Sequence, residues 1–185
     1  GLTEYMYVAV GNKNKNIFNK NDLEVISDLS NQFEALDIVD EVISITNLDK
    51  ISLDPLDSSI VIDDIIQFPI LNQEQIDDVI KYLNDNRIIK SRVVSQKDDY
   101  ANIIIIPENS DDYVELTENI NSITKKYDNA YELHYGGQAY VTGAVPGMVA
   151  KEVKILLIFG LLLMTIILLV NLRSFKGVFL ILLVI

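Results

Sequence analysis

Four aspartates, Asp54, Asp57, Asp63 and Asp64, come nearest in type and spacing to a divalent-cation site, because hard cations take carboxylate oxygens. They stand in a stretch, residues 49–64, that also holds Pro55, Ser58 and Ser59 and keeps no hydrophobic period. It reads as a loop, a partner surface or a cation site, and clustered acids are most often a solvated face. The oxygen-bearing side chains of Asn12, Asn14 and Asn16 alternate as in a calcium loop. Ile17 stands where the sharp-turn glycine is needed and Leu23 where the bidentate glutamate is needed, so this is a solvated loop. His134 is the single histidine and there is no cysteine, which excludes disulfides and thiolate chemistry. His134, beside Tyr135 and Gly136, reads as a strand-end residue. No nucleophile elbow, phosphate loop or HExxH-type motif is present, and an enzyme is not expected. Tyr5, Tyr7, Tyr100, Tyr113 and Tyr140 could line an apolar cleft, or serve sheet and core packing instead. No catalytic, cofactor-binding or metal-binding residue is assigned.

The elements that position these residues follow from periodicity. Residues 5–10 (YMYVAV) are aromatic and β-branched and read as a strand ending at Gly11. Ile26, Leu29, Phe33 and Leu36 mark an amphipathic helix over 22–36, with Asn21 and Glu24 as a capping-box-like start. Residues 39–46 supply a second strand, with Val42, Ile43 and Ile45, and the three elements form a βαβ unit. Ile76, Val79, Ile80 and Leu83 place a helix over 73–84. Residues 92–96 and 100–106 read as a hairpin closed by Lys97-Asp98-Asp99. The four isoleucines 103–106 argue for a strand buried on both faces. Tyr113, Leu116, Ile120, Ile123 and Tyr127 give a helix over 111–127, and a last strand lies within 131–142, broken by Gly136 and Gly137. The expected fold class is α+β: a ferredoxin-like, split βαβ domain with a mixed, mainly antiparallel sheet and helices on one face.

Residues 155–172 (ILLIFGLLLMTIILLVNL) carry no charge, and as a helix they extend about 27 Å, close to the hydrocarbon core of a bilayer. They read as a membrane span; the rival reading is a buried helix of a soluble core. Pro146, in the glycine-containing hinge 143–147, suits the first turn of the helix that enters this span. Residues 174–177 then form a short turn and 178–185 (VFLILLVI) begin a second apolar run, so the chain reads as a fragment of a longer polypeptide. Arg173 and Lys176 favour a cytoplasmic turn, against a smaller vote from Lys151 and Lys154 offset by Glu152. The expected organisation is a domain over 1–145, a helix entering and spanning the membrane over 146–173, the turn, and the truncated second span.

Residues 1–150 hold 26 acidic and 11 basic side chains, a balance of −15, so the overall charge of −12 belongs to the domain. Such a surface argues against nucleic acid, whose phosphates need a basic footprint. The start, Gly1-Leu2-Thr3, has no initiator Met and no signal-like apolar run.

Taken in order, the acidic split βαβ domain, the strand GGQAYVTG (136–143) with Pro146 soon after it, the long span, and LRSFKGV (172–178) before a second apolar run resemble resistance-nodulation-division exporters. The likeness is to their MMPL-like, hydrophobe- and amphiphile-exporting branch, in which a motif of the type FRSxxG follows the second membrane helix. Leu172 stands where that motif commonly has an aromatic residue, and the segment before Pro146 is one residue longer than the pattern. The resemblance covers essentially the whole chain. It implies that residues 1–145 are a porter domain outside the bacterial cytoplasmic (inner) membrane. It also implies proton-driven export of lipids, drugs or other amphiphiles, through clefts lined by apolar and aromatic side chains. The implied partners are the lipid bilayer, the remaining membrane helices, a second porter domain of the same full-length protein, and a hydrophobic or amphiphilic substrate. No cofactor is implied. Proton-coupling residues of such pumps lie in a later helix, and 155–172 has no ionisable group, so none is carried over. Gly160 and Thr165 read as helix-packing residues. The competing reading is an extracytoplasmic sensor or ligand-binding module tethered to the membrane.

Overall fold

The computed structural model describes residues 4–12, 15–53, 60–70 and 72–172. Two compact units are distinguished, Gly1–Gly143 and Ala144–Ile185.

The first unit is built on a four-stranded sheet of order β2-β5-β1-β6, with β1 Met6–Gly11, β2 Val39–Ile43, β5 Tyr100–Pro107 and β6 Glu132–Gly136. Every neighbouring pair is antiparallel. Hence β1 and β2, joined through α1 (Lys20–Glu34), run in the same direction with β5 inserted between them. By the same logic β5 and β6, joined through α4 (Tyr113–Thr124), run together with β1 between them. The architecture is α+β with a mainly antiparallel sheet.

One face of the sheet carries the core. Met6 and Val8 of β1 stand opposite Ile105 and Ile103 of β5, and all four are fully buried. Ile26, Leu29 and Phe33 of α1 and Leu116 and Ile120 of α4 belong to the same buried cluster, as their three- and four-residue spacing requires. α1 begins earlier than the sequence suggests. Its N-cap is Asn19, whose side chain accepts from the Asp22 amide at 3.0 Å, rather than the expected Asn21. Phe18 before that cap and Leu23 at the fourth helical position are both buried, the spacing of a hydrophobic staple, and this apolar pair fixes the boundary. α2 (Gln73–Asp85) has the full capping box, Asn72 with Gln75, and buries Ile76, Val79 and Leu83.

Four further expectations are corrected. Residues 92–96 are not a strand: α3 spans Arg87–Val93 and only Val94 bridges β5, at Ala101. Ser95 folds the connection, its Oγ accepting from the Asp99 and Tyr100 amides at 3.1 Å each, while Asp98 takes the left-handed conformation (φ 56°). The stretch 49–64 contains a two-stranded hairpin, β3 Asp49–Leu53 with β4 Ile60–Asp64. Its short Ile- and Val-containing arms were masked by the surrounding acids.

The third correction is the isoleucine run. Ile103 and Ile105 are buried, but Ile104 and Ile106 are only half-buried, because alternate residues of a strand face opposite ways and one face of this sheet is uncovered. The fourth is the hinge. α5 runs from Gln138 to Leu172, so residues 143–147 are helical and Pro146 lies inside the helix, not in its first turn. The break from β6 falls at Gly137, whose φ of +93° a residue with a Cβ would hold only under strain.

The second unit carries the apolar part of α5. Gln138–Asn171 is the one helix among the described residues long and apolar enough to cross a membrane, and its apolar window is wholly unburied. Leu156, Phe159 and Val170 are each more than 70% exposed. By length and composition the helix is compatible with a membrane span. The turn 173–177, the second apolar run 178–185, the motif 172–178 beyond Leu172, and Gly1-Leu2-Thr3 lie outside the described residues.

Candidate functional site

The uncovered face of the sheet is set out in transverse rows by the strand register. Ile43, Ile104, Tyr7 and Gly136 form one row across all four strands. Asn102, Ala9 and His134 form the next, and Tyr100, Gly11 and Glu132 the third. Glu41 stands opposite Ile106 on the other side of the first row. The first row holds aromatic and aliphatic residues where a solvated sheet face would carry polar ones, while Asn102, His134, Glu132 and Glu41 keep the surrounding positions polar.

Two tyrosines lean over glycines of the adjacent strand. A Cβ at Gly136 would overlap the Tyr7 ring, and one at Gly11 would overlap the Tyr100 ring, so each glycine makes room for an aromatic ring to lie flat on the sheet. The Tyr100 hydroxyl donates to Glu132 Oε2 at 2.6 Å. That hydrogen bond raises the Tyr100 phenol above its usual pKa, with burial and the Glu132 and Asp99 charges adding to it. His134 packs its ring 5.5 Å from that of Tyr100 and is exposed in mid-strand, not at a strand end.

Beside these rows runs an open groove of about 500 Å³. Its apolar lining is Tyr5, Tyr7, Ile43, Ile104 and Ile106, and its polar lining is Arg92 and Asn102. Tyr5 and Tyr7 are tilted against one another at 6.4 Å. Asn102 Nδ2 donates to the Arg92 carbonyl at 3.1 Å, tying the last turn of α3 to the sheet. The two ion pairs among the described residues are Lys20–Glu24 and Lys90–Asp98, so Arg92 has no acidic partner there.

Of the five tyrosines singled out in the sequence, three reach the open face: Tyr5, Tyr7 and Tyr100. Tyr113 is buried in α4, bonded to Glu4, and Tyr140 stacks on Tyr135 at 5.2 Å. Sequence reasoning missed Arg92, which it placed in a strand, and Ile104 and Ile106, which it buried. Strict alternation through residues 100–107 was the available signal.

Among the described residues the candidate cation ligands are not brought together. Asp63 and Asp64 are consecutive in β4 and so point to opposite faces, and Asp63 stands opposite Lys50. Asp54 and Asp57 lie outside the described residues, as do Asn14, Pro55, Ser58 and Ser59. Asn12 is tied by its Nδ2 to both carboxylate oxygens of Asp22 at 3.0 and 3.1 Å. Asn16 Oδ1 accepts from the Phe18 amide at 2.7 Å. Among the described residues no group of three or more acidic or histidine side chains could hold a metal.

The arrangement can therefore bind, through an apolar floor with one cationic side chain at its margin. No family model and no curated protein matches the chain.

Proposed function

We propose that residues 1–145 are a ferredoxin-like, split βαβ porter-type domain on the extracytoplasmic side of a bacterial cytoplasmic membrane. The domain belongs to an MMPL-like member of the resistance-nodulation-division exporters and forms part of its substrate path. The full-length protein moves lipids, drugs or other amphiphiles outward at the expense of a proton gradient. Its partners are the bilayer, the remaining membrane helices and a second porter domain of the same polypeptide, with no role for nucleic acid.

Three features support this reading. The strand order β2-β5-β1-β6, with β1 and β2 running together around β5, supports a split βαβ arrangement. The same chain holds a wholly unburied apolar helix of membrane-spanning length. The observation that carries the reading is the third: an acidic domain leaves the face bearing Tyr5, Tyr7, Ile104 and Ile106 uncovered. Apolar surface of this kind marks a place where something apolar is meant to lie. A tethered sensor would share the domain and the span, but would be followed by a signalling domain or coiled coil instead of further spans.

The test is to delete the gene and measure amphiphile accumulation, with complementation by the full-length protein. Export predicts that at least one lipid or drug class accumulates and that complementation reverses it. No change for any class contradicts the proposal.

A further inference from the structure

We propose that the groove on the uncovered sheet face is a binding site for a single-chain amphiphile with an anionic head group, its chain over Ile43, Ile104 and Ile106 and its head on Arg92. The proposal rests on the reading of this domain as one that handles amphiphiles, and adds to it where the ligand sits and which charge it carries.

The chain end of the ligand is argued from the floor. Ile43 and Ile104 are paired across β2 and β5 and Tyr7 adjoins Ile104 across β1, so three strands present contiguous apolar surface. Tyr5 and Tyr7 stand 49% and 37% exposed, flat amphipathic walls of the kind that border ligand clefts. The groove of about 500 Å³ lies within the range of small-molecule sites. Each methylene laid into such a surface raises affinity by about fourfold.

The head-group charge is argued from complementarity. In a chain of net charge −12, Arg92 is the sole charged residue of the groove lining among the described residues. Nearby Lys90 is neutralised by Asp98 at 2.9 Å, whereas Arg92 is bound to no carboxylate among the described residues. Glu41 and Asp49 line an adjoining cavity of about 380 Å³ together with Arg92, but no ion pair joins either of them to it. With no carboxylate on it among the described residues, the guanidinium can take a carboxylate, sulfate or phosphate monoester in two-point contact. The hydrogen bond from Asn102 to the Arg92 carbonyl holds the backbone from which it reaches. The net negative charge of the chain disfavours anions in general, so a cationic side chain beside an apolar floor is a distinctive position for an anionic head group.

The test uses the whole chain in nanodiscs and three ligands of one chain length: laurate, dodecanol and dodecylammonium. The isoleucine methyl signals of Ile104 and Ile106 report the open face, and those of Ile103 and Ile105, on the opposite face of the same strand, are internal references. Laurate is expected to shift Ile104 and Ile106 alone, with higher affinity than dodecanol or dodecylammonium. Arg92→Glu is expected to weaken laurate by about fivefold or more and to favour dodecylammonium. Equal responses to all three ligands, insensitivity to Arg92→Glu, or shifts at Ile103 and Ile105 alone would overturn the proposal. Binding here needs no transport. A parent protein that exports nothing while laurate binds as described contradicts export and leaves this site standing, and the reverse result contradicts the site alone.

Discussion

The Tyr100 hydroxyl of β5 reaches Glu132 of β6 at 2.6 Å by passing over Gly11 of the intervening strand β1. Three strands are thereby tied by one side chain that only a glycine lets through. Gly11→Ala should displace the ring, break that bond and destabilise the domain by about 1–3 kcal/mol through overpacking. Chemical denaturation checks the loss. Spectrophotometric titration of Glu132→Gln should show the Tyr100 phenol returning toward its ordinary pKa, since the bond to Glu132 is the main cause of its rise.

Tyr113 and Tyr131 make a prediction at high pH. The hydrogen bond to Glu4, then burial, pushes Tyr113 up to about 12; burial, then the hydrogen bond to Asp22, pushes Tyr131 up to about 12 as well. Both raised values favour the neutral phenol in the folded state. Their stabilisation is complete below the unfolded value of about 10 and is lost as pH rises from about 10 to about 12. The chain should therefore unfold steeply in that window. Tyr113→Phe should remove one late-titrating phenol from the absorbance curve, and a curve complete by pH 11 would contradict the assignment.

At Gly143 the start of α5 packs closely on Tyr113 and Thr117 of α4. A Cβ at Gly143 would overlap the Tyr113 carbonyl and Thr117 Oγ1. Gly143→Ala should cost about 1–3 kcal/mol by overpacking. Thr117 Oγ1 is buried without a hydrogen-bond partner, so Thr117→Val, of the same shape, should be neutral or stabilising by about 1 kcal/mol. Melting temperatures of the two variants should move in opposite directions, or the second not at all.

Because the chain has no cysteine, membrane sidedness can be read with single cysteines on an unmodified background. Asp40 is an exposed residue of β2 in the proposed extracytoplasmic domain. An Asp40→Cys variant should react with a membrane-impermeant maleimide in intact spheroplasts, and Ser174→Cys only after permeabilisation. The reverse pattern would invert the proposed topology.

Elements announced by their own periodicity were legible. The stripes Ile26–Leu29–Phe33 and Ile76–Val79–Leu83 fixed two helices, and the uncharged run 155–172 announced one long apolar helix. What failed was decided by tertiary context. Nothing local says that Ile103 and Ile105 are buried more deeply than Ile104 and Ile106, since that depends on α1 and α4 packing on one side of the sheet. Pro146 inside α5 defeats the usual stop signal. The open face itself was half legible: Tyr5, Tyr7 and Tyr100 were identified by type. Arg92 became visible only once α3 and the Asn102 bond placed it on the groove.

The most direct test of the account is transport by the full-length protein in proteoliposomes loaded with a fluorescent amphiphile. The account predicts amphiphile movement toward the domain-bearing side that requires a proton gradient and stops when a protonophore collapses it. Movement indifferent to the gradient, or none for any amphiphile offered while the protein remains folded, would contradict it.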